Sequence, residues 1–214
     1  MKTQLFIIRL LDIVLALLGI IFGLPVFALL AVLIVLESRG PIFFVQKRVG
    51  RNSKTFPIYK FRSMYSDKLR SVGIFENHKS RQESLESYQR TAPDDERVTN
   101  VGRFMRARHL DEIPQFFNVL LGHMSFVGPR PDALVQELEY SAMHWQQRCS
   151  VKPGITGLAQ LSQRANTGVL TGARARLVRL GLDIVWTKKI SVCLYLIIFM
   201  RTAHQIFALK RRSF

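Results

Sequence analysis

Between Asp12 and Glu37 the chain carries no charged residue, an unbroken run of 24 from Ile13 to Leu36. As a helix rising about 1.5 Å per residue, such a run reaches roughly 36 Å, enough to cross the hydrocarbon layer of a bilayer. Water cannot accommodate it, so it has to be covered by lipid or by protein. Only Lys2, Arg9 and Asp12 precede it, and residues 37–214 therefore hold 29 of the 31 basic and 14 of the 15 acidic side chains. An apolar N-terminal segment is tied to a strongly basic body long enough to enclose a core of its own. With 48% hydrophobic and 21% charged residues, wholesale disorder is excluded. Cys149 and Cys193 lie too far apart, with no second pair, for a disulfide scaffold or the usual zinc-finger spacings, and they suit a reducing compartment.

A cleaved signal peptide fits poorly, because the run exceeds the usual apolar core and no small-x-small site closes it. A straight membrane span stays open. Two features favour a helix that dips in and returns. Pro25, with Gly19 and Gly23 before it, sits mid-run, where a proline removes a backbone bond and bends a helix. Basic residues flank both ends, Lys2 and Arg9 before and Arg39, Lys47 and Arg48 after, which places both ends on the cytoplasmic side. Arg9 and Asp12, three apart, share a helix face. They read either as a solvated pair at the interface or as a self-neutralising pair at headgroup level, where Arg9 could hold a lipid phosphate.

Beyond Gly40-Pro41, the stretches 42–50 and 56–64 are aromatic and β-branched and bounded by Gly, Pro or Asn, which predicts two short strands. In a strand, Lys60 and Arg62 project to one face. Residues 66–97 are polar and mixed in charge, a surface excursion with one short helix near Arg81–Tyr88. Helical periodicity runs from Val101 to Leu121 with an interruption at Pro114, and Gly128-Pro129-Arg130-Pro131 marks a tight turn. Asp132 to Arg148 reads as amphipathic, with Leu134, Leu138, Met143 and Trp145 on the buried side. Ile190 to Met200 is apolar but too short to span, and the basic Arg201, Lys210, Arg211 and Arg212 follow. That suits a helix lying in the interface. The whole reads as α+β and mostly helical, with residues 1–38 as a re-entrant helix-break-helix and 39–214 as a small catalytic domain.

Walker A, Gly-x-Gly-x-x-Gly and His-Glu-x-x-His patterns are all missing, no Gly-x-Ser-x-Gly elbow is present, and the histidines are scattered. His109 and His123 read as structural or surface residues. The distinctive stretch is Arg106-Ala107-Arg108-His109-Leu110-Asp111-Glu112-Ile113-Pro114. Adjacent carboxylates ahead of a proline suit plain helix capping. The same placement keeps Asp111 ionised, while Arg106, Arg108 and Arg130 offer positions for phosphate oxygens. A carboxylate attacking phosphorus needs such cations to cancel repulsion, and Glu112 could ligate Mg²⁺.

Leu110-Asp111-Glu112-Ile113-Pro114-Gln115, Asn118-Val119-Leu120, Met124-Ser125, Val127-Gly128-Pro129-Arg130-Pro131 and Pro153 to Gln160 resemble the bacterial sugar transferases, the small monotopic phosphoglycosyl transferases. Gln46-x-Arg48-x-Gly50 and Tyr59 to Met64 match that family as well, and the likeness runs from Arg9 to about Ala208. The resemblance implies transfer of a sugar-1-phosphate from a UDP-sugar to undecaprenyl phosphate in the bacterial cytoplasmic membrane, initiating surface glycan assembly. It further implies Asp111 as nucleophile, Glu112 with Asp111 at a Mg²⁺ site, and Lys60, Arg62, Arg106 and Arg130 as phosphate-binding positions. The family's membrane helix is re-entrant and broken at a proline, which Pro25 matches, with the catalytic part on the cytosolic face. The chain looks like the family's minimal catalytic form. His109 departs from the small hydroxyl residue usual there, and the 66–97 excursion exceeds that of the shortest members. A homodimer stays open. The competing class, a membrane-tethered protein that binds nucleic acid or another polyanion without catalysis, rests on net charge alone. Anionic lipid and diphosphate substrates explain that charge equally well, and no nucleic acid is expected as partner.

Overall fold

A computed structural model describes residues 2–65, 95–165 and 172–211. The helix expected near Arg81–Tyr88 lies outside them. The apolar run falls within one helix, α1 (Lys2–Glu37), which continues through Pro25. The expected break there is therefore absent. A proline in a long helix forfeits one hydrogen bond and displaces one carbonyl, and eleven or more residues on each side still propagate the helix.

One stripe of α1 faces the rest of the chain. Ile8, Asp12, Ala16, Leu30 and Ile34 are buried, spaced as a helix places them on a single face. No residue between Ala16 and Leu30 is buried, and Phe6, Leu10, Leu17, Leu18, Ile21, Phe22, Leu24 and Leu36 are exposed. The helix is long and apolar enough to cross a membrane, yet the body touches it near both ends.

After Gly40-Pro41 the chain forms an antiparallel hairpin, β1 (Phe43–Val49) and β2 (Thr55–Phe61), with Phe43 opposite Phe61 and Val49 opposite Thr55. Both expected strands are present. Helix α2 (Asn100–Ala107) is capped by Thr99, whose hydroxyl accepts from the Gly102 amide at 2.9 Å. Its first amides, of Asn100 and Val101, donate to the carboxylate of Glu37 at 2.6 and 2.8 Å. The last residue of α1 thus completes the first turn of α2, as the partial positive charge of a helix N-terminus favours. A 3-10 turn at Leu110–Glu112 leads to α3 (Gln115–Leu120), so Pro114 divides the periodic stretch as expected.

Strand β3 (Ser125–Val127) pairs in parallel with β4 (Gly154–Thr156). Between them lie a 3-10 segment at Leu134–Glu139 and α4 (Ala142–Arg148). Here the amphipathic expectation fails: Trp145 is buried, but Leu134, Leu138 and Met143 are exposed, Met143 at 70%. The segment is two pieces joined through extended Tyr140 and Ser141, so no single 3.6-residue period carries across it.

Helices α5 (Leu158–Ala165), α6 (Gly172–Lys188) and α7 (Val192–Arg211) complete the described chain. In α7 the apolar stretch divides its faces, with Tyr195 and Ile198 buried and Leu196, Ile197 and Met200 exposed. The main core joins Ile8 and Ala16 of α1 to Phe56 and Ile58, Val119, Phe126 and Val127, Trp186, Tyr195 and Ile198. A second cluster sets Leu30 and Ile34 against Phe61 and Met105. The N-terminal helix and the body are built into shared apolar clusters.

Candidate active site

The Asp-Glu pair sits where the chain reverses between α2 and α3. His109 makes the reversal possible by adopting φ 56° and ψ 23°, the left-handed region that few side chains other than glycine, Asn, Asp and His enter readily. Asp111 is buried at 9% exposure. Neither carboxylate caps α3, whose Phe116 and Phe117 amides donate to the carbonyls of Ile113 and Pro114.

Glu112 holds two cations through one oxygen. Lys60 Nζ donates to Glu112 Oε1 at 2.7 Å, and Arg130 Nη2 approaches the same atom at 3.4 Å. Lys60 is delivered from β2 by the hairpin register. Asn118, fully buried in α3, fixes β2 beside the Asp-Glu turn: its amide donates to the Pro57 carbonyl at 2.6 Å and its Oδ1 accepts from the Tyr59 amide at 2.9 Å. Arg106, near the end of α2, donates through Nε to Ser63 Oγ at 2.9 Å, and its charge acts on Asp111. The fold therefore gathers Lys60, Arg106, Asp111, Glu112 and Arg130 from four separate segments.

Electrostatics separate the two carboxyls. Burial pushes Asp111 above its ordinary value and the adjacent Glu112 charge adds to this, against Lys60, Arg106 and His109. Burial thus makes Asp111 a more basic carboxylate than an ordinary aspartate. Burial also opposes ionisation of Glu112, but Lys60 and Arg130 outweigh it and hold this group at about 2.

Arg130 is supported from behind. Arg148, 4% exposed, donates to the Arg130 carbonyl at 2.6 Å while pairing with Asp132 at 2.8 Å and Asp183 at 2.9 Å. Arg179 binds Asp132 from α6. Gly128 and Gly154 let their backbones meet directly, since a Cβ on either would strike the other loop. Sequence reasoning missed Arg148, Asp132, Asp183 and Arg179. Their one trace is a pair of acids and a pair of arginines in apolar surroundings, tens of residues apart. Asn118, a polar residue within an apolar helical stretch, was the more legible clue.

Three other expectations are corrected. Arg62 does not share a face with Lys60, because β2 ends at Phe61. It turns inward, 3% exposed, and donates to the carbonyls of Ile34, Ser38 and Arg39. Those carbonyls lie at and just beyond the C-terminal end of α1, which makes Arg62 a clamp on the helix, outside the carboxylate cluster. Arg9 and Asp12 do not pair with each other. Arg9 donates to the carbonyls of Val119 and Leu120, and buried Asp12 accepts through Oδ1 from Ser125, the Phe126 amide and the Tyr195 hydroxyl. The interior of the protein offered each a better partner than solvent did. Pro25 is exposed on α1, as are its neighbours Leu24 and Val26.

Among the described residues no group of three or more metal-ligating side chains gathers. Mg²⁺ asks for less than that, binding through one or two carboxylates with phosphate and water oxygens. Asp111 and Glu112 fit this requirement: among the described residues Asp111 makes no ion pair that would occupy its oxygens, and Glu112 uses only Oε1 for its ion pairs.

Adjacent carboxylates, one buried and one ion-paired, ringed by lysine and arginine, define a site suited to anionic groups. The chain belongs to the bacterial sugar transferase family, whose model matches residues 3–209. It is 38% identical over 202 residues to the undecaprenyl-phosphate glucose phosphotransferase of Komagataeibacter xylinus, covering 86% of this chain and 33% of that protein. It is 36% identical over 203 residues to the UDP-N-acetylgalactosamine-undecaprenyl-phosphate N-acetylgalactosaminephosphotransferase of Aeromonas hydrophila, covering 94% and 44%. With the exopolysaccharide production protein PSS of Rhizobium leguminosarum bv. phaseoli it shares 38% identity over 159 residues, 72% of each chain. The chain spans a third to under half the length of the first two relatives.

Proposed function

We propose that this chain transfers a sugar-1-phosphate from a UDP-sugar to undecaprenyl phosphate, releasing UMP, at the start of surface glycan assembly. The names of its relatives support the reaction class. The observation that carries it here is the placement of a buried, basic Asp111 beside the Glu112–Lys60–Arg130 ion cluster and Arg106.

An oxygen of Asp111 bonds to the sugar-bearing phosphorus, and the bond from that phosphorus to the oxygen of the departing UMP breaks. An oxygen of undecaprenyl phosphate then bonds to the same phosphorus and the bond to Asp111 breaks, restoring the carboxylate. Two displacements spare the site from holding both bulky anionic substrates at once. Burial raises the basicity, and with it the nucleophilicity, of Asp111, while Lys60, Arg106 and Arg130 stand ready to offset phosphoryl charge. Asp111 and Glu112 would hold Mg²⁺, which when bound lowers the repulsion between carboxylate and phosphate.

The protein works at the cytosolic face of the cytoplasmic membrane, with the continuous α1 bending at Pro25 so that it dips into the bilayer and keeps both ends on one side. Support for that topology comes from α1 itself, which packs on the body at Ile8–Ala16 and again at Leu30–Ile34. A straight span would need about 20 consecutive residues clear of the body. On this reading the exposed face of α7 lies in the interface, residues 39–214 are the catalytic domain, and residues 1–38 are its membrane anchor.

The test is UMP release from a panel of UDP-sugars with undecaprenyl phosphate and Mg²⁺. Asp111→Asn should lower release by at least about 10³-fold and abolish trapping of a labelled sugar-phosphate on the protein. Turnover undiminished by that substitution overturns the mechanism.

A further inference from the structure

At the end of α3 remote from the carboxylates, basic side chains gather around the turn at Gly122. Arg9 donates to the Val119 carbonyl at 2.6 Å and the Leu120 carbonyl at 2.8 Å. A Cβ placed on Gly122 would stand 3.4 Å from Arg9 Nη2 and 3.5 Å from Lys152 Nζ, so both cationic heads sit over the same bare glycine, whose φ is +83°. The charge of Arg51 also acts on Lys152, and Arg51 Nε donates to the Ser150 carbonyl at 3.2 Å.

Arg9 and Arg51 each hold main-chain carbonyls. Lys152, half-buried, has no hydrogen bond or ion pair among the described residues. Burial first, then Arg9, lowers its ammonium from the ordinary value, and Asp12 opposes them. Asp12 Oδ1, however, is already engaged by Ser125, Phe126 and Tyr195. Bringing like charges together costs free energy that an anion between them would recover. The surroundings say which kind of anion. Leu121, next in the chain, is 60% exposed, and Leu10, Val14 and Leu17 on α1 are exposed as well. The cationic heads thus have exposed apolar chain neighbours, Leu121 beside Gly122 and Leu10 beside Arg9.

We propose that Arg9, Lys152 and the Gly122 turn form a site for the phosphate of an anionic phospholipid headgroup, with Leu121 and the exposed face of α1 receiving the start of its acyl chains. This site is separate from the Asp111 cluster. It rests on the membrane residence proposed above and is independent of the transferase chemistry.

The test is native mass spectrometry of the full chain in detergent, titrated separately with phosphatidylglycerol, phosphatidylcholine and inorganic phosphate. Phosphatidylglycerol should be retained in preference to phosphatidylcholine. Lys152→Gln, which leaves the Arg9 contacts in place, should weaken phosphatidylglycerol retention about fivefold, the worth of one basic residue near a lipid surface, and Lys152→Arg should restore it. Equal retention by wild type and Lys152→Gln, or equal retention of the two lipids, overturns the proposal. Displacement of phosphatidylglycerol by inorganic phosphate at matching concentration also overturns it, marking a free-phosphate site. UMP release is not part of the readout, so failure of the transferase reading and failure of this one are told apart.

Discussion

Asp111 and Glu112 are neighbours in sequence and opposites in environment, and each difference has a measurable sign. Glu112 takes its proton near 4.5 when unperturbed and at about 2 in the folded protein. Its ion pairs therefore contribute stability in full above pH 4.5, and that contribution is lost as pH falls from there toward 2. Denaturant titrations across this window should show the decline in wild type and a flatter profile in Glu112→Gln. Asp111 runs the other way. Its raised pKa means the folded state binds the proton more tightly than the unfolded chain, so the ionised carboxylate weighs against folding at neutral pH. Asp111→Asn should therefore raise the melting temperature at pH 7 while removing UMP release, the exchange expected where a site is built for reaction rather than for stability.

At the scale of elements, a guanidinium just past the active-site strand adds hydrogen bonds to the apolar packing that fastens the N-terminal helix. Arg62 holds three carbonyls at the end of α1, and its neighbour Ser63 receives Arg106. Glu37 meanwhile caps α2, the helix that carries Arg106. Arg62→Leu would strand those buried carbonyls and cost roughly 2–4 kcal/mol, or about 5–15 °C in melting temperature. Arg62→Lys should recover only part of this, because one ammonium does not reproduce the planar fork that spans separate acceptors. Thermal unfolding of both variants checks the order. A second fastening lies behind Arg130, where Arg148 joins α4, α6 and the Gly128–Pro131 turn through Asp132 and Asp183. Arg148→Ala should cost about 3–5 kcal/mol, because it leaves buried carboxylates without their counter-charge.

For the molecule as a whole, a 36-residue helix long and apolar enough to cross a membrane is also part of the core. Its buried stripe packs against the body near both ends, while its other faces and the outer side of α7 are apolar and exposed. The geometry fits a body lying against one leaflet, close to the headgroups where a lipid-linked phosphate would sit. With exposed Cys193 first replaced, single cysteines at positions 2 and 47 should react with an impermeant label from the same side of sealed vesicles. Reaction from opposite sides would establish a straight span.

The sequence alone determined the pieces whose physics is local. An uncharged run of 24 residues requires an apolar environment, aromatic and β-branched residues between turn formers give two short extended segments, and a proline after two acids ends one helical stretch before another. The resemblance to a known family also brought Lys60, Arg106, Asp111, Glu112 and Arg130 into one reading. Tertiary structure decided what depends on distant partners. It sent Arg62 into the end of α1 and away from the cluster, took Arg9 and Asp12 inward to separate acceptors, carried α1 through Pro25, and exposed Leu134, Leu138 and Met143. A side chain's charge and period can be read in place, but which buried donor or acceptor it satisfies is settled only when segments tens of residues apart are packed together, since the cost of an unpartnered polar group belongs to the whole core.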